Sequence, residues 1–429
     1  MTDHPPKPAP HLVSHLADMD SAPDPRLFEP LDTEPPYERY VLTTPFHNNV
    51  AELSKTNQWA DWAGYTTPLV YTHIDEEYQA LRGRTAISDI SPLRKARISG
   101  RDASAYLNRL VTRDISGLAR GQSAYVMFCE DRGFIVGDGI LFHIGEDDYR
   151  LTTGDSHIDW LLDSARGFRV LIEDVSRTVA ALALQGPGAA AILAAAGVPA
   201  LDGLALGDAC WVELRGMPLY ISRTGQTGGL GYELWVDPED APPLWDWLMR
   251  CGAPLGLAPA GLAVRDLARL EAGIPQAGID YLGAFSAVDL LSARTPFELG
   301  LGAHVDLDAG LFTGRDALRA LQGEPGRLAL TGLEIEGGEA VRFAAIYAGE
   351  DRVGTATSVG WSPLLGRTIA LATVSVECLK AGQAARGLNV HIDDRHEVAV
   401  RRRRLAAKTV DRPFLLRHAS FQPDHGDLK

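Results

Sequence analysis

From Gly231 the chain alternates, with Tyr232, Leu234 and Val236 on one side and Glu233 and Trp235 on the other. A period of two predicts a strand. Four glycines (Gly225, Gly228, Gly229, Gly231) fall in the seven residues that lead into it. A phosphate loop needs a helix after its glycines, so that the helix N-terminus faces the anion. A strand follows here, which argues against a nucleotide loop. Further strands are predicted at Ala124–Phe128, Phe134–Phe142, Tyr149–Thr153 and Val179–Leu184. Helical patterning covers 75–85, Asp102–Leu110, Asp155–Ala165, Ala189–Ala196, Pro242–Cys251 and Gly261–Ala272, the last stopped by Gly273 and Pro275. Short strands interleaved with helices predict an α+β fold.

The texture changes after the linker Gln322-Gly323-Glu324-Pro325-Gly326. Six strand-like runs follow: Leu328–Ile335, Phe343–Tyr347, Val353–Thr357, Thr368–Val376, Leu388–Ile392 and Val398–Arg403. Their spacing predicts an all-β domain, a barrel or jelly roll, over 327–416, with a tail at 417–429. Residues 1–44 are rich in proline and histidine, lack apolar periodicity and read as an irregular arm.

Composition narrows the function. A net charge of −15 weighs against a nucleic-acid partner. No run of about 18 apolar residues occurs, so no membrane span is expected. No secretory leader is read at the N-terminus, and the expected location is cytoplasmic. The four cysteines show no C-x-x-C spacing, and no metal site is expected. His391, Asp393, Asp394 and His396 read as a solvated turn, and Arg401–Arg404 as surface.

Four stretches carry candidate chemistry. Asp138 interrupts the apolar run Phe134–Phe142 between Gly137 and Gly139. A buried carboxylate is costly without partners, and the glycines would let a ligand approach; a hairpin-turn aspartate fits the same pattern. Glu233, next to the glycine loop, suits a flat heterocycle with paired N–H donors, or is a solvated glutamate of a hairpin. Arg265 and Arg269 share a helix face and suit a carboxylate tail, or pair with Asp266 and Glu271. Trp59, Trp62 and Tyr65 are dense enough to cage an onium group, or pack as core.

These stretches, in this order, resemble the glycine-cleavage T-protein family of tetrahydrofolate-dependent aminomethyltransferases and their demethylase relatives. Trp62 to Tyr71 is similar to F-x-G-W-x-M-P-V-x-Y, Asp89-Ile90-Ser91 to D-V-S, and Thr112-Arg113-Asp114 to T-N-D. Tyr125 to Asp138 resembles Y-x-L-x-x-N-x-x-G-G-x-x-D-D, and Leu182 to Pro187 matches L-A-L-Q-G-P. Arg223 to Glu233 resembles R-T-G-Y-T-G-E-x-G-Y-E, Arg265 to Gly273 resembles R-D-x-L-R-L-E-A-G, and Phe312 to Leu318 resembles F-I-G-R-E-A-L. Thr357-Ser358, Ser362-Pro363 and Ile369–Ala372 also match the family pattern.

The resemblance implies a three-domain cloverleaf with a central folate channel. Two interleaved α+β domains would span 45–321, with a C-terminal β-barrel after them. It implies that Asp138 is the catalytic carboxylate near folate N5 and that Glu233 takes the pterin donors. Arg265 would meet the benzoyl-glutamate side, and Tyr125 and Gln226 would bind the cofactor, tetrahydrofolate. Trp59, Trp62, Tyr65 and Phe142 are expected on the substrate side. The sequence departs from the family at Gly137, Phe142, Gln226 and Gly229, where the family has Asp, Tyr, Tyr and Glu, and at Ser91-Pro92-Leu93, which replaces S-H-M. Because Glu233 and Arg265 are kept, the leading expectation is a demethylase moving a methyl group from a small N-, S- or O-methylated compound to folate. One alternative is the aminomethyltransferase of glycine cleavage, whose partner is a lipoyl carrier protein. Another is a non-enzymatic folate-binding protein, whose K-G-C-Y-x-G-Q-E motif is missing between Arg294 and Leu318.

Overall fold

The computed structural model describes residues 42–199, 201, 203–287, 292–324, 326–337, 341–380, 388–396 and 399–415, without the side chains of 391–403. Most of the expected arm and all of the tail at 417–429 lie outside these residues, as do the side chains of His391, Asp393, Asp394, His396 and Arg401 to Arg403.

The chain builds two sheets by interruption. Strand Thr85–Asp89 enters a six-stranded sheet, after which the chain leaves to make all five strands of a second sheet. It then returns at Ala180–Gln185, which pairs antiparallel with Thr85–Asp89, Asp89 opposite Leu182. The second sheet holds Arg94–Ser99, Ser123–Cys129, Ile135–Gly145, Asp148–Thr153 and Leu171–Asp174. Its inner face buries Val126, Phe128, Leu141 and Leu151 against the Ala103–Leu110 and Ile158–Ser164 helices.

Strand Gly231–Val236 lies inside the first sheet, between Met217–Ser222 and Ala180–Gln185, and is buried throughout. Its alternation is visible in the packing. Tyr232, Leu234 and Val236 join a core with Trp245 and Leu248 of the Ala241–Gly252 helix, while Trp235 joins a separate cluster with Phe142 and Tyr220.

The C-terminal strands close into a six-stranded barrel, so the barrel rather than the jelly roll is correct. Closure leaves no edge strand to cap. The Leu262–Glu271 helix packs on barrel strand Asp351–Ser362, where Gly360 faces Leu267 and Leu270.

Some expectations shift. The helix expected from Asp155 begins at Ile158, and Gly154 to Ser156 form a loop. The aromatic segment forms a hairpin, Gln58–Trp62 with Tyr65–Val70. Ala63 and Gly64 both have positive φ, +53° and +87°, which suits a tight two-residue turn. Among the described residues no helix is long and apolar enough to cross a membrane.

Candidate functional site

Strand Ile135–Gly145 carries Asp138, and the neighbouring strand Ser123–Cys129 places Tyr125 beside it. Tyr125 donates its hydroxyl to Asp138 Oδ2 at 2.8 Å. Tyr281, from the loop that follows the Leu262–Glu271 helix, donates to Oδ1. Each carboxylate oxygen therefore has its own phenol. Burial pushes the Asp138 carboxyl above its ordinary value, and the two phenols pull it back down. Both tyrosine hydroxyls are held well above their usual range, first by burial and then by the Asp138 charge. The ring of His304 meets Tyr125 edge-on at 4.9 Å.

Tyr281 is the residue sequence reading missed. It lies in Asp280-Tyr281-Leu282-Gly283, beyond the Leu262–Glu271 helix. A lone tyrosine in a loop carries no periodic signal, and only the fold brings it to Asp138.

A second group forms around Glu233. Glu233 is buried, and its Oε2 accepts from Thr224 Oγ1 at 2.7 Å. Thr224 is its one hydrogen-bond donor among the described residues. Burial raises the Glu233 carboxyl, while Thr224 and the nearby Arg265 lower it. Arg265 lies over the Trp62 ring, 4.7 Å from its centroid. Burial lowers its guanidinium to about 10, so it stays charged at neutral pH. Among the described residues no carboxylate pairs with Arg265 directly, although Glu233, Asp89 and Asp266 are close enough to favour its charge.

Arg269, one turn later, is fully engaged by Asp266, Asp280 and Ser358. Glu271 is taken by Tyr78, Arg82 and Ser362. Of the two arginines on this helix face, Arg269 is structural and Arg265 remains for a ligand.

The glycines do other work than expected. A Cβ on Gly225 or Gly231 would lie 2.2 Å from Gln185 Oε1. The Gln185 amide is pinned there, donating to Thr224 O and Tyr232 O and accepting from Thr227. A Cβ on Gly137 would lie 2.4 Å from His157 Nε2, and one on Gly139 would lie 2.1 Å from Thr152 O. The bare backbone at these four positions admits protein atoms, not a ligand.

The expected aromatic wall also needs correction. Phe142 is 1 % exposed and packs edge-on against Trp235 and Tyr220, so it belongs to the core and does not line a substrate space. Trp59 and Trp62 stand three apart on one strand and so face opposite sides of the hairpin. Trp59 meets His47 and donates Nε1 to Asn57. Tyr65 is buried and lines a separate cleft of about 450 Å³ with Thr44, Ser91 and Pro238. These residues form no common cage, and the Trp62 face already carries a cation. Gln226 sits exposed on the loop before Glu233.

The donor set fits tetrahydrofolate. A buried glutamate with one donor can accept paired N–H groups, and the half-buried Arg265 guanidinium, with no carboxylate partner among the described residues, can receive a carboxylate-bearing tail.

Comparison with known proteins agrees with the fold. The family described as GCVT N-terminal domain matches residues 46–309, and the one described as Glycine cleavage T-protein C-terminal barrel domain matches 329–415. An aminomethyltransferase of Streptomyces avermitilis is 36 % identical over 79 % of this chain and 90 % of its own length. One from Bacillus pumilus is 34 % identical over 83 % of this chain and 94 % of its own length. The solved structure of glycine cleavage system aminomethyltransferase T from Bartonella henselae superposes with a TM-score of 0.76 at 25 % identity, covering 87 % of this chain and 98 % of that one.

Proposed function

Because this chain belongs to the glycine-cleavage T-protein family and is a tetrahydrofolate-dependent transferase, we propose that it performs aminomethyl transfer, taking its one-carbon unit from an aminomethylated lipoyl carrier protein. The observation that carries this reading is Asp138, a single carboxylate gripped at both oxygens by Tyr125 and Tyr281. The names of the relatives support the aminomethyl donor over a methyl donor.

When bound, tetrahydrofolate supplies N5, the nucleophile that accepts the carbon. Glu233 would hold the pterin donors and Arg265, braced on Trp62, the tail. The phenols fix the Asp138 carboxylate in one orientation, so that its negative charge is in place where positive charge develops. Burial keeps the proton affinity of Asp138 above that of a free aspartate, which lets an oxygen of its carboxyl take up a proton released at the site. Most of the acceleration would come from placement.

A second reading, demethylation of a small methylated compound, is favoured by Gln226 and Gly229, which stand where the family has Tyr and Glu. The aromatic segment lends it no support, because Trp62 stacks on Arg265 and Trp59 faces away.

The test offers the enzyme tetrahydrofolate with each donor. Methylene-tetrahydrofolate and ammonia from the aminomethylated carrier support the first reading. 5-Methyltetrahydrofolate from a methylated amine, sulfonium or aryl ether, with nothing from the carrier, replaces it with the second. No product from any donor sinks both.

A further inference from the structure

Asp280 stands next to Tyr281 in the chain, yet its side chain points to the C-terminal barrel. It is 3 % exposed and accepts four hydrogen bonds. Arg269 Nη1 at 2.5 Å and the Gln276 amide at 2.9 Å reach Oδ2. Thr357 Oγ1 at 2.5 Å and Ser358 Oγ at 2.6 Å reach Oδ1, both from barrel strand Asp351–Ser362. A carboxylate with this many donors is fixed. The loop that carries it is short and closed on itself, since Gly278 N donates to Tyr281 O at 2.8 Å. Little slack separates the barrel hydroxyls from the Tyr281 phenol.

We infer that Asp280 is a positioning residue for the reaction, through which the C-terminal barrel holds the Tyr281 hydroxyl on Asp138. The barrel thereby becomes a working part of the site. The inference rests on the reading of Asp138 as the catalytic carboxylate. The groups that face Asp138 are Tyr125, Tyr281 and, through its charge, Asp155. Those that face Asp280 are Arg269, Thr357 and Ser358, with Arg412 within electrostatic reach and Asp266 on the far side of Arg269.

The test follows the Asp138 carboxyl by difference infrared titration of the full-length chain, with Asp138→Asn to assign the band. Tyr281→Phe removes a donor to the ionised form, so the midpoint moves up. Asp280→Asn is expected to move it in the same direction, and the double variant to match Tyr281→Phe alone. Turnover at saturating donor should fall at least about tenfold in Asp280→Asn, with a smaller change in the KM for tetrahydrofolate. A wild-type midpoint in folded Asp280→Asn, or a shift that adds to that of Tyr281→Phe, overturns the inference. If Asp280→Asn fails to fold, Thr357→Val combined with Ser358→Ala removes both barrel donors. A folded double variant with an unmoved Asp138 midpoint overturns it equally, and an upward shift supports it. The titration needs no donor, so a failure of the proposed reaction shows separately, as absent turnover.

Discussion

Gln185 fills the space that a side chain on Gly231 would need, 2.2 Å from the would-be Cβ, and three hydrogen bonds hold its amide there. The loop before Glu233 is wrapped around a buried amide. Gly231→Ala is expected to destabilise the fold by about 2–4 kcal/mol, since neither backbone nor amide can yield. Pairing it with Gln185→Ala should cost less than the sum of the two single changes. Denaturant unfolding of the four proteins in a double-mutant cycle measures the difference; strict additivity would show that the two residues do not contend for one space.

A raised Asp138 carboxyl costs the fold stability at neutral pH. Its pKa is raised in the folded state, so between the ordinary aspartate value and that raised value the folded protein binds more protons than the unfolded one. Stability from this group is therefore full at low pH and is lost as pH rises through the folded value. Asp138→Asn is expected to abolish transfer while raising the melting temperature at neutral pH. The gain should shrink as pH falls toward the acid range. Thermal scans of both proteins across pH check it, and a variant less stable than wild type at neutral pH would contradict the sign.

Gly137 and His157 form a matched pair, with the imidazole standing where a Cβ on residue 137 would point. The ring is also edge-on to Phe128 at 5.1 Å. Gly137→Asp, which restores the family residue, should destabilise by roughly 3 kcal/mol or more, through overlap and a buried charge. Adding His157→Ser should recover part of that loss. Urea midpoints of the single and double variants decide it, and no recovery would mean that His157 is not the obstacle.

Trp62 braces Arg265, and that brace is testable by binding. Trp62→Ala should weaken tetrahydrofolate binding by about fivefold to thirtyfold, the scale of a partly desolvated cation–π contact. Trp62→Phe should lose less. Calorimetric titration reads both, and equal affinity in all three proteins would remove Trp62 from the site.

Asp138, Glu233 and Arg265 stand out in the sequence because each is a charge set in an apolar or periodic context, and the family motifs run through them. Strand spacing made the all-β C-terminal domain legible but left barrel and jelly roll open, and closure shows only in the pairing of its first and last strands. The glycines misled, because clearance shows in a sequence while its occupant does not. Gln185 and His157 are distant in the chain from the glycines they fill. The aromatics misled for a related reason. Trp59 and Trp62 look like a cluster when written in a row, yet strand geometry turns them apart. Tyr281 was out of reach because its contact with Asp138 spans 143 positions and follows no local pattern.

The interruption of the six-stranded sheet has a consequence for synthesis. Strand Thr85–Asp89 emerges from the ribosome well before its partner Ala180–Gln185, and the whole Asp138-bearing sheet is made in between. That inserted unit can form while the earlier strand still waits with both edges unpaired, its other neighbour Leu257–Pro259 coming later still, since contacts close in sequence form fastest. A strand waiting with unpaired edges is an aggregation hazard. The nascent chain is thus most vulnerable during the interval in which the sheet that carries Asp138 takes shape.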